Sequence, residues 1–304
     1  KSVPDRFMLK IACRLLARVV IAGTAACDRD PGPIPPPSSD AVQTVQASIR
    51  LAREGDIAGL LELSLPPAEF TRMKTEWDQR ASEHPVSDDA RKRFAEAMTR
   101  LTAKDAETGL FKQLEPDIRQ FDAQYKNQLP AILAMGSGYV TGLIHQSQNL
   151  TTTEKQRATQ VLDAVVGGLQ TSHPTDPEKA RKALVVAIET ARALNLKTLD
   201  EARSLSFDQA APKMKSLARG LKRILEVYGF SVDATLDSIK VTETTTNDPN
   251  LVKLQISYDL AGTPVQTESD MVRVDGRWYD RDTIDKLARR TGSMLNAPAV
   301  PAGE

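Results

Sequence analysis

Pro212-Lys-Met-Lys-Ser-Leu-Ala-Arg-Gly-Leu-Lys-Arg-Ile-Leu-Glu-Val-Tyr-Gly229 and its continuation, Phe230-Ser-Val-Asp-Ala-Thr-Leu-Asp-Ser-Ile-Lys-Val-Thr242, decide the fold class. In the first stretch Met214, Leu217, Leu221, Ile224, Leu225 and Tyr228 recur at helical spacing and share one face. Gly229 is placed to end that helix, because glycine takes the left-handed conformation of a helix terminus without strain. Past Phe230 the spacing changes to alternation, and Val232 to Thr242 predicts a strand. The switch predicts an α+β chain, mostly helical, with a small C-terminal antiparallel sheet.

Upstream, residues 41–229 are dominated by alanine, leucine, lysine, arginine, glutamate and glutamine, all good helix formers. Helices are expected at about 41–54, 56–63, 67–82, 88–101, 104–128, 130–148, 152–171, 177–194, 197–204 and 208–228. Asp88 precedes one of them, Thr152 with Lys155 is a weak start, and Asp176-Pro177 fits an N-cap and first helical position. Downstream, Leu251–Tyr258 predicts a second strand and Pro264–Ser269 a third. Met271–Val274 and Arg277–Tyr279 flank Asp275-Gly276, a two-residue hairpin signal. A last helix is expected at about 281–290.

A faint internal echo runs through the helical part. Ile49, Ala52-Arg53, Leu60, Ser64-Leu65 and Met73-Lys74 match Ile188, Ala191-Arg192, Leu199, Ser204-Leu205 and Met214-Lys215, with an offset that drifts from 139 to 141. The pattern is that of a weak internal duplication, or of a chance match in a chain built from few residue types.

The N-terminal segment has a different character. Lys10, Arg14 and Arg18 precede the short apolar run Val19–Ala26, the small residues Gly23, Thr24, Ala25 and Ala26, and then Cys27. Residues 28–40 follow with five prolines and one glycine. The apolar run is shorter than the about 20 residues that span a bilayer and suits a cleavable signal. Pro35-Pro36-Pro37 favours an extended spacer of roughly 3 Å per residue. The order resembles the export signal of bacterial envelope lipoproteins, with Thr24-Ala25-Ala26-Cys27 at the lipobox. The resemblance implies cleavage before Cys27, a lipid on Cys27, and a periplasm-facing protein held on the inner or outer membrane. Met8 is a candidate start residue for that signal. Thr24 stands where the family usually has an aliphatic residue, and Arg18 interrupts the apolar run. Asp28 resembles the inner-membrane retention signal of enterobacterial lipoproteins.

The expected organisation is a signal peptide over 1–26, the anchor cysteine and linker over 27–40, a helical domain over 41–229, the sheet with its terminal helix over 230–292, and a disordered tail over 293–304. Processing changes the charge. The whole chain carries 40 basic and 40 acidic residues, and removal of 1–26 leaves 35 and 39, a net charge of −4. A nucleic-acid partner is not expected, because such proteins carry a basic excess. The resemblance implies that Cys13 leaves with the signal and Cys27 takes the lipid, which would leave the body no thiol for catalysis, metal binding or a disulfide.

The remaining residues offer little chemistry. His84, His145 and His173 lack metal-ligand spacing. Gly136-Ser-Gly-Tyr-Val-Thr-Gly142 looks like a phosphate loop but lacks the Lys-Ser/Thr ending and the preceding strand. The apolar run around it predicts a buried helix whose Gly138 and Gly142 admit a close neighbour. Lys215, Arg219 and Lys222 form a basic stripe, a candidate contact for anionic headgroups or an acidic partner. Carboxylate pairs such as Asp105/Glu107 and Asp275/Asp280 are not distinctive, and with 5% aromatics the chain is poor in sugar-stacking residues. Trp278 beside the hairpin is expected to anchor the sheet or to serve as a ligand platform. Val274-Asp-Gly-Arg-Trp-Tyr279 resembles the closing hairpin of small envelope α+β domains, including some with a nuclear-transport-factor-2-like fold. That resemblance implies a sheet curved over a helix and carries no catalytic residue.

No catalytic residue, metal site or cofactor is expected. The favoured reading is a non-enzymatic envelope scaffold, adaptor or assembly factor with an envelope protein partner. The alternatives are a binder of lipid or another hydrophobic small molecule between sheet and helices, near Ile256 and Tyr258, and a hydrolase of envelope polymers.

Overall fold

The computed structural model describes residues 40–83, 86–125, 127–148, 150 and 152–291. The expected signal peptide, its cysteines, the linker up to Ser39 and the 293–304 tail lie outside the described residues. In chain order come α1 (Ala41–Glu54), α2 (Ile57–Ser64), α3 (Pro67–Glu83), α4 (Asp88–Thr102), α5 (Ala106–Tyr125) and α6 (Leu129–Gln146). Then follow α7 (Thr152–Ser172), α8 (Pro177–Leu194), α9 (Leu199–Ser204), α10 (Phe207–Val227) and α11 (Val232–Asp237). Strands β1 (Lys240–Thr245), β2 (Leu251–Leu260), β3 (Thr263–Val274) and β4 (Arg277–Asp280) precede α12 (Arg281–Thr291). The chain is α+β, mostly helical, as its composition predicts.

Local chemistry sets the helix starts. The Asp40 carboxylate accepts from Val42 N at 2.8 Å and opens α1. Asp176 accepts from Glu178 N, with Pro177 at the first helical position of α8. Ser206 and Gln209 form a reciprocal capping box that opens α10. For α4 the cap is Ser87, whose hydroxyl accepts from Ala90 N, and Asp88 lies inside the first turn.

The sheet is a simple antiparallel meander in the order β1-β2-β3-β4. Both tight hairpins place two residues at positive φ, Ala261-Gly262 at 53° and 83° and Asp275-Gly276 at 49° and 80°. That geometry matches the twist of the flanking strands. The expected segments 264–269 and 271–274 are one strand, β3, in which Asp270 stays in register opposite Lys253.

The strand expected over 232–242 is corrected. Residues 232–237 are a helical turn, α11, and β1 begins only at Lys240. The Ser231 hydroxyl caps Ala234 N at 3.1 Å, and Val232 and Leu236, four apart, turn toward the core. The alternation of Val232, Ala234 and Leu236 fits either period, and the cap decides for helix.

One face of the sheet supplies the main core. Val252, Leu254, Ile256 and Tyr258 of β2 alternate inward with Val265, Met271 and Trp278. Ala41, Val45, Ile49 and Ala52 of α1 close over them with Leu60, Leu236 and Ile239. The first described helix therefore covers the last strands. A second cluster joins Leu65, Met73 and Phe207 to Val272, Tyr279, Ile284 and Leu287. Phe70 and Trp77 meet Phe207 edge-on at 5.6 and 5.7 Å, and Trp77 Nε1 donates to the Leu205 carbonyl.

Leu254 is fully buried at the centre of this core. Leu254→Ala is expected to cost about 2–5 kcal/mol in urea denaturation. A loss below about 1 kcal/mol would show that the sheet and α1 do not share a closed core.

Candidate functional site

The basic stripe has a definite target. Lys215 Nζ lies 3.0 Å from Glu54 Oε2 and 3.6 Å from Asp56 Oδ2. Arg219 Nε donates to the Glu54 carbonyl at 2.8 Å. Lys222 Nζ donates to the Arg53 carbonyl and to Asp233 Oδ1, both at 2.5 Å. All three converge on the C-terminus of α1, where Gly55 at φ +71° reverses the chain. Terminal carbonyls and the negative end of the helix dipole both attract cations. A Cβ on Gly55 would stand 3.3 Å from the Lys215 carbonyl and from the Ala218 Cβ, so the two helices touch here.

The apolar face of α10 is only partly inward. Phe207, Ala210 and Gly220 are buried, whereas Leu217 and Leu221 are about half exposed. At Gly220 the helix crosses α8 closely, since a Cβ there would meet Thr190 Oγ1 at 2.1 Å.

Trp278 is 6% exposed and sits in the main core with Ile256 and Tyr258. A cavity of about 310 Å³ lies between α7 and the sheet, and Trp278 is not part of its lining. Gln156, Arg157 and Gln160 of α7 face Gln255, Gln266 and Glu268 of the strands across it. Its lining is mainly polar, with Ile256 the one apolar residue on it, and Val252, Leu254 and Tyr258 of β2 belong to the core.

The Gly136–Gly142 segment lies in α6, as a helix, but the expected burial is corrected. None of the α6 residues is buried. Met135 is 74% exposed, Tyr139 70% and Leu143 51%, and Ile132 and Val140 are also open. Ile132, Met135, Tyr139 and Leu143, spaced by three and four, form one stripe. Beyond the adjoining residues and backbone of α6 itself, no atom lies within 4 Å of a Cβ built on Gly136, Gly138 or Gly142. The apolar run is long enough for a core helix, yet α6 packs chiefly on α7, through half-buried Leu129, Leu133, Ser137, Thr141 and Ile144.

The titratable groups are dispersed. Among the described residues no three His, Cys, Asp or Glu side chains gather as a metal site would require. His145 lies in the last turn of α6 and His173 Nδ1 lies 3.0 Å from the Thr171 carbonyl, while His84 is outside the described residues. Glu107 pairs with Arg181 at 3.3 Å, and Asp280 caps α12 through Thr283 N at 3.0 Å. Burial pushes the Tyr258, Tyr279 and Tyr228 phenols up, and the Arg157 charge pulls Tyr258 partly back. A hydrogen bond from Lys197 N lowers the exposed Glu201 carboxyl.

Residue patterning did not single out the α6 stripe or the glutamine-lined cavity. The signal for the first was the absence of Asp, Glu, Lys and Arg from Leu129 to Gln146, and for the second the outward glutamines of β2 and β3. Comparison with protein-family models, with curated proteins and with solved structures gives no match for this chain.

Two outcomes follow. Lys222→Ala removes one contact at the α1 terminus and one to Asp233 of α11 and is expected to cost about 1–2 kcal/mol in thermal or urea unfolding, whereas Leu221→Gln stays within about 0.5 kcal/mol. A tyrosine raised in the folded state contributes stability below its unfolded value of about 10 and loses it as pH climbs through the folded value. Urea midpoints are therefore expected to fall above about pH 10, and Tyr258→Phe to flatten that fall.

Proposed function

We propose that this protein is an envelope lipoprotein, tethered through Cys27, that works as a non-enzymatic scaffold, adaptor or assembly factor. The observation that carries the assembly role is the uncovered apolar stripe of α6, Ile132, Met135, Tyr139 and Leu143. A contiguous exposed apolar patch of this kind is characteristic of an association surface. The N-terminal order of basic residues, short apolar run, small residues, Cys27 and proline-rich spacer supports the tether. Among the described residues no helix is long and apolar enough to cross a membrane, so the described body itself supplies no helical span.

The basic stripe and Trp278 bear on the choice of surface. Lys215, Arg219 and Lys222 already hold α1, and Trp278 is in the core, which leaves α6 as the better docking face. The cavity beside the sheet offers a hydrophobic ligand mostly amide, hydroxyl and charged walls, and apolar ligands favour apolar walls.

Intact mass of the membrane-extracted protein, run beside Cys27→Ala, tests the tether. The wild type is expected to carry a diacylglyceryl mass on Cys27 and to sediment with membranes, and Cys27→Ala to lose both. An unmodified, soluble wild type would overturn the localisation.

A further inference from the structure

We infer that the exposed stripe of α6 is covered by the same stripe of a second copy, so that the protein pairs through α6 about a two-fold axis. This deepens the reading of α6 as an assembly surface and rests on it, but not on the lipid at Cys27.

The first argument is charge. Leu129–Gln146 contains no Asp, Glu, Lys or Arg. Foreign partners are usually selected by complementary charge and rejected by mismatched charge, and this face offers neither handle. A copy of the same face matches it by construction, because no like charges meet. A lipid surface is the poorer occupant, since helices that lie on membranes place lysines and arginines along their polar flank.

The second argument is shape. Met135 and Tyr139 stand out from the helix at 74% and 70% exposure. Gly138 and Gly142, one turn apart on the adjoining stripe, leave an open notch beside them. In an isologous contact residue i of one copy meets j of the other, and j meets i. The protrusion of each copy then enters the notch of its partner.

The third argument is size, which sets the strength. An 18-residue helix is about 27 Å long and about 10 Å wide. The footprint of roughly 300 Å² per copy falls below the about 800 Å² per partner of a stable interface. The pair is therefore reversible, with dissociation in the micromolar range or weaker.

Sedimentation velocity of the full chain carrying Cys27→Ala, over a hundredfold range around roughly 10 μM, reads the pairing without lipid. We expect a monomer–dimer equilibrium that Met135→Glu and, separately, Gly138→Leu each weaken at least tenfold. Leu221→Glu, on the exposed side of α10, is expected to leave it unchanged. Circular dichroism checks that helix content is kept, and both substituted positions are open to solvent, so folding is not at issue. Gly138→Leu is decisive, because it fills the notch while adding apolar surface. A monomer at every concentration overturns the inference, as does a dimer that either substitution leaves intact. Flotation of the same chain with neutral phosphatidylcholine vesicles, lost on Met135→Glu and kept on Gly138→Leu, overturns it in favour of a lipid surface. A monomer that instead holds a stoichiometric foreign protein through Met135 would overturn the pairing and keep the assembly reading.

Discussion

The last carbonyls of a helix find no partner inside it, and in this fold lysines and arginines from other helices meet that need. Arg219 and Lys222 reach the carbonyls of Glu54 and Arg53 at the end of α1. Lys213, on the same helix, reaches Leu194 at the end of α8. Arg192 donates to Ala103 after α4, Lys155 to His145 at the end of α6, and Lys179 to Ser172 at the end of α7. Each contact joins a charge to a dipole end that would otherwise face water, and each ties two helices together. The α10 helix matters most, because it ties both α1 and α8, and α1 is the lid of the main core. Remove those cations and α10 loses its polar ties to α1 and α8.

Much of the architecture was legible from residue patterning. Helix boundaries in residues 41–229 came close because caps and periodicity are local, as with Asp176-Pro177 and the 3.6-residue spacing of α10. The Asp275-Gly276 hairpin was legible for the same reason. What failed was long-range. The Lys215–Arg219–Lys222 stripe is plain in the sequence, but its target lies 161 to 169 residues away. The apolar content of α6 is equally plain, yet burial depends on which elements reach it, and chiefly α7 does. At Val232 the local signals themselves conflicted, and the Ser231 cap outweighed the alternation.

The internal echo has a structural counterpart. The segment α1-α2-α3 and the segment α8-α9-α10 are each a helix, a short helix and a longer helix. The first helix of each ends on a left-handed residue, Gly55 at φ 71° and Asn195 at φ 48°. Ser64-Leu65 and Ser204-Leu205 both sit at the entry to the third helix. The burial differs, since Leu60 is in the core while no residue of α9 is buried. The two segments thus share a backbone pattern and differ in packing, and both reach the sheet, the first through Leu60 and the second through Phe207.

Asp40 has a mechanical meaning. The described chain enters the fold at this residue, whose carboxylate caps α1, and the very next residue, Ala41, is 2% exposed in the main core. A pull applied at Asp40 would act first on α1, which packs into the sheet-borne core and is held at its far end by α10. Unravelling the chain from that residue would therefore start by removing the helix that closes the main core.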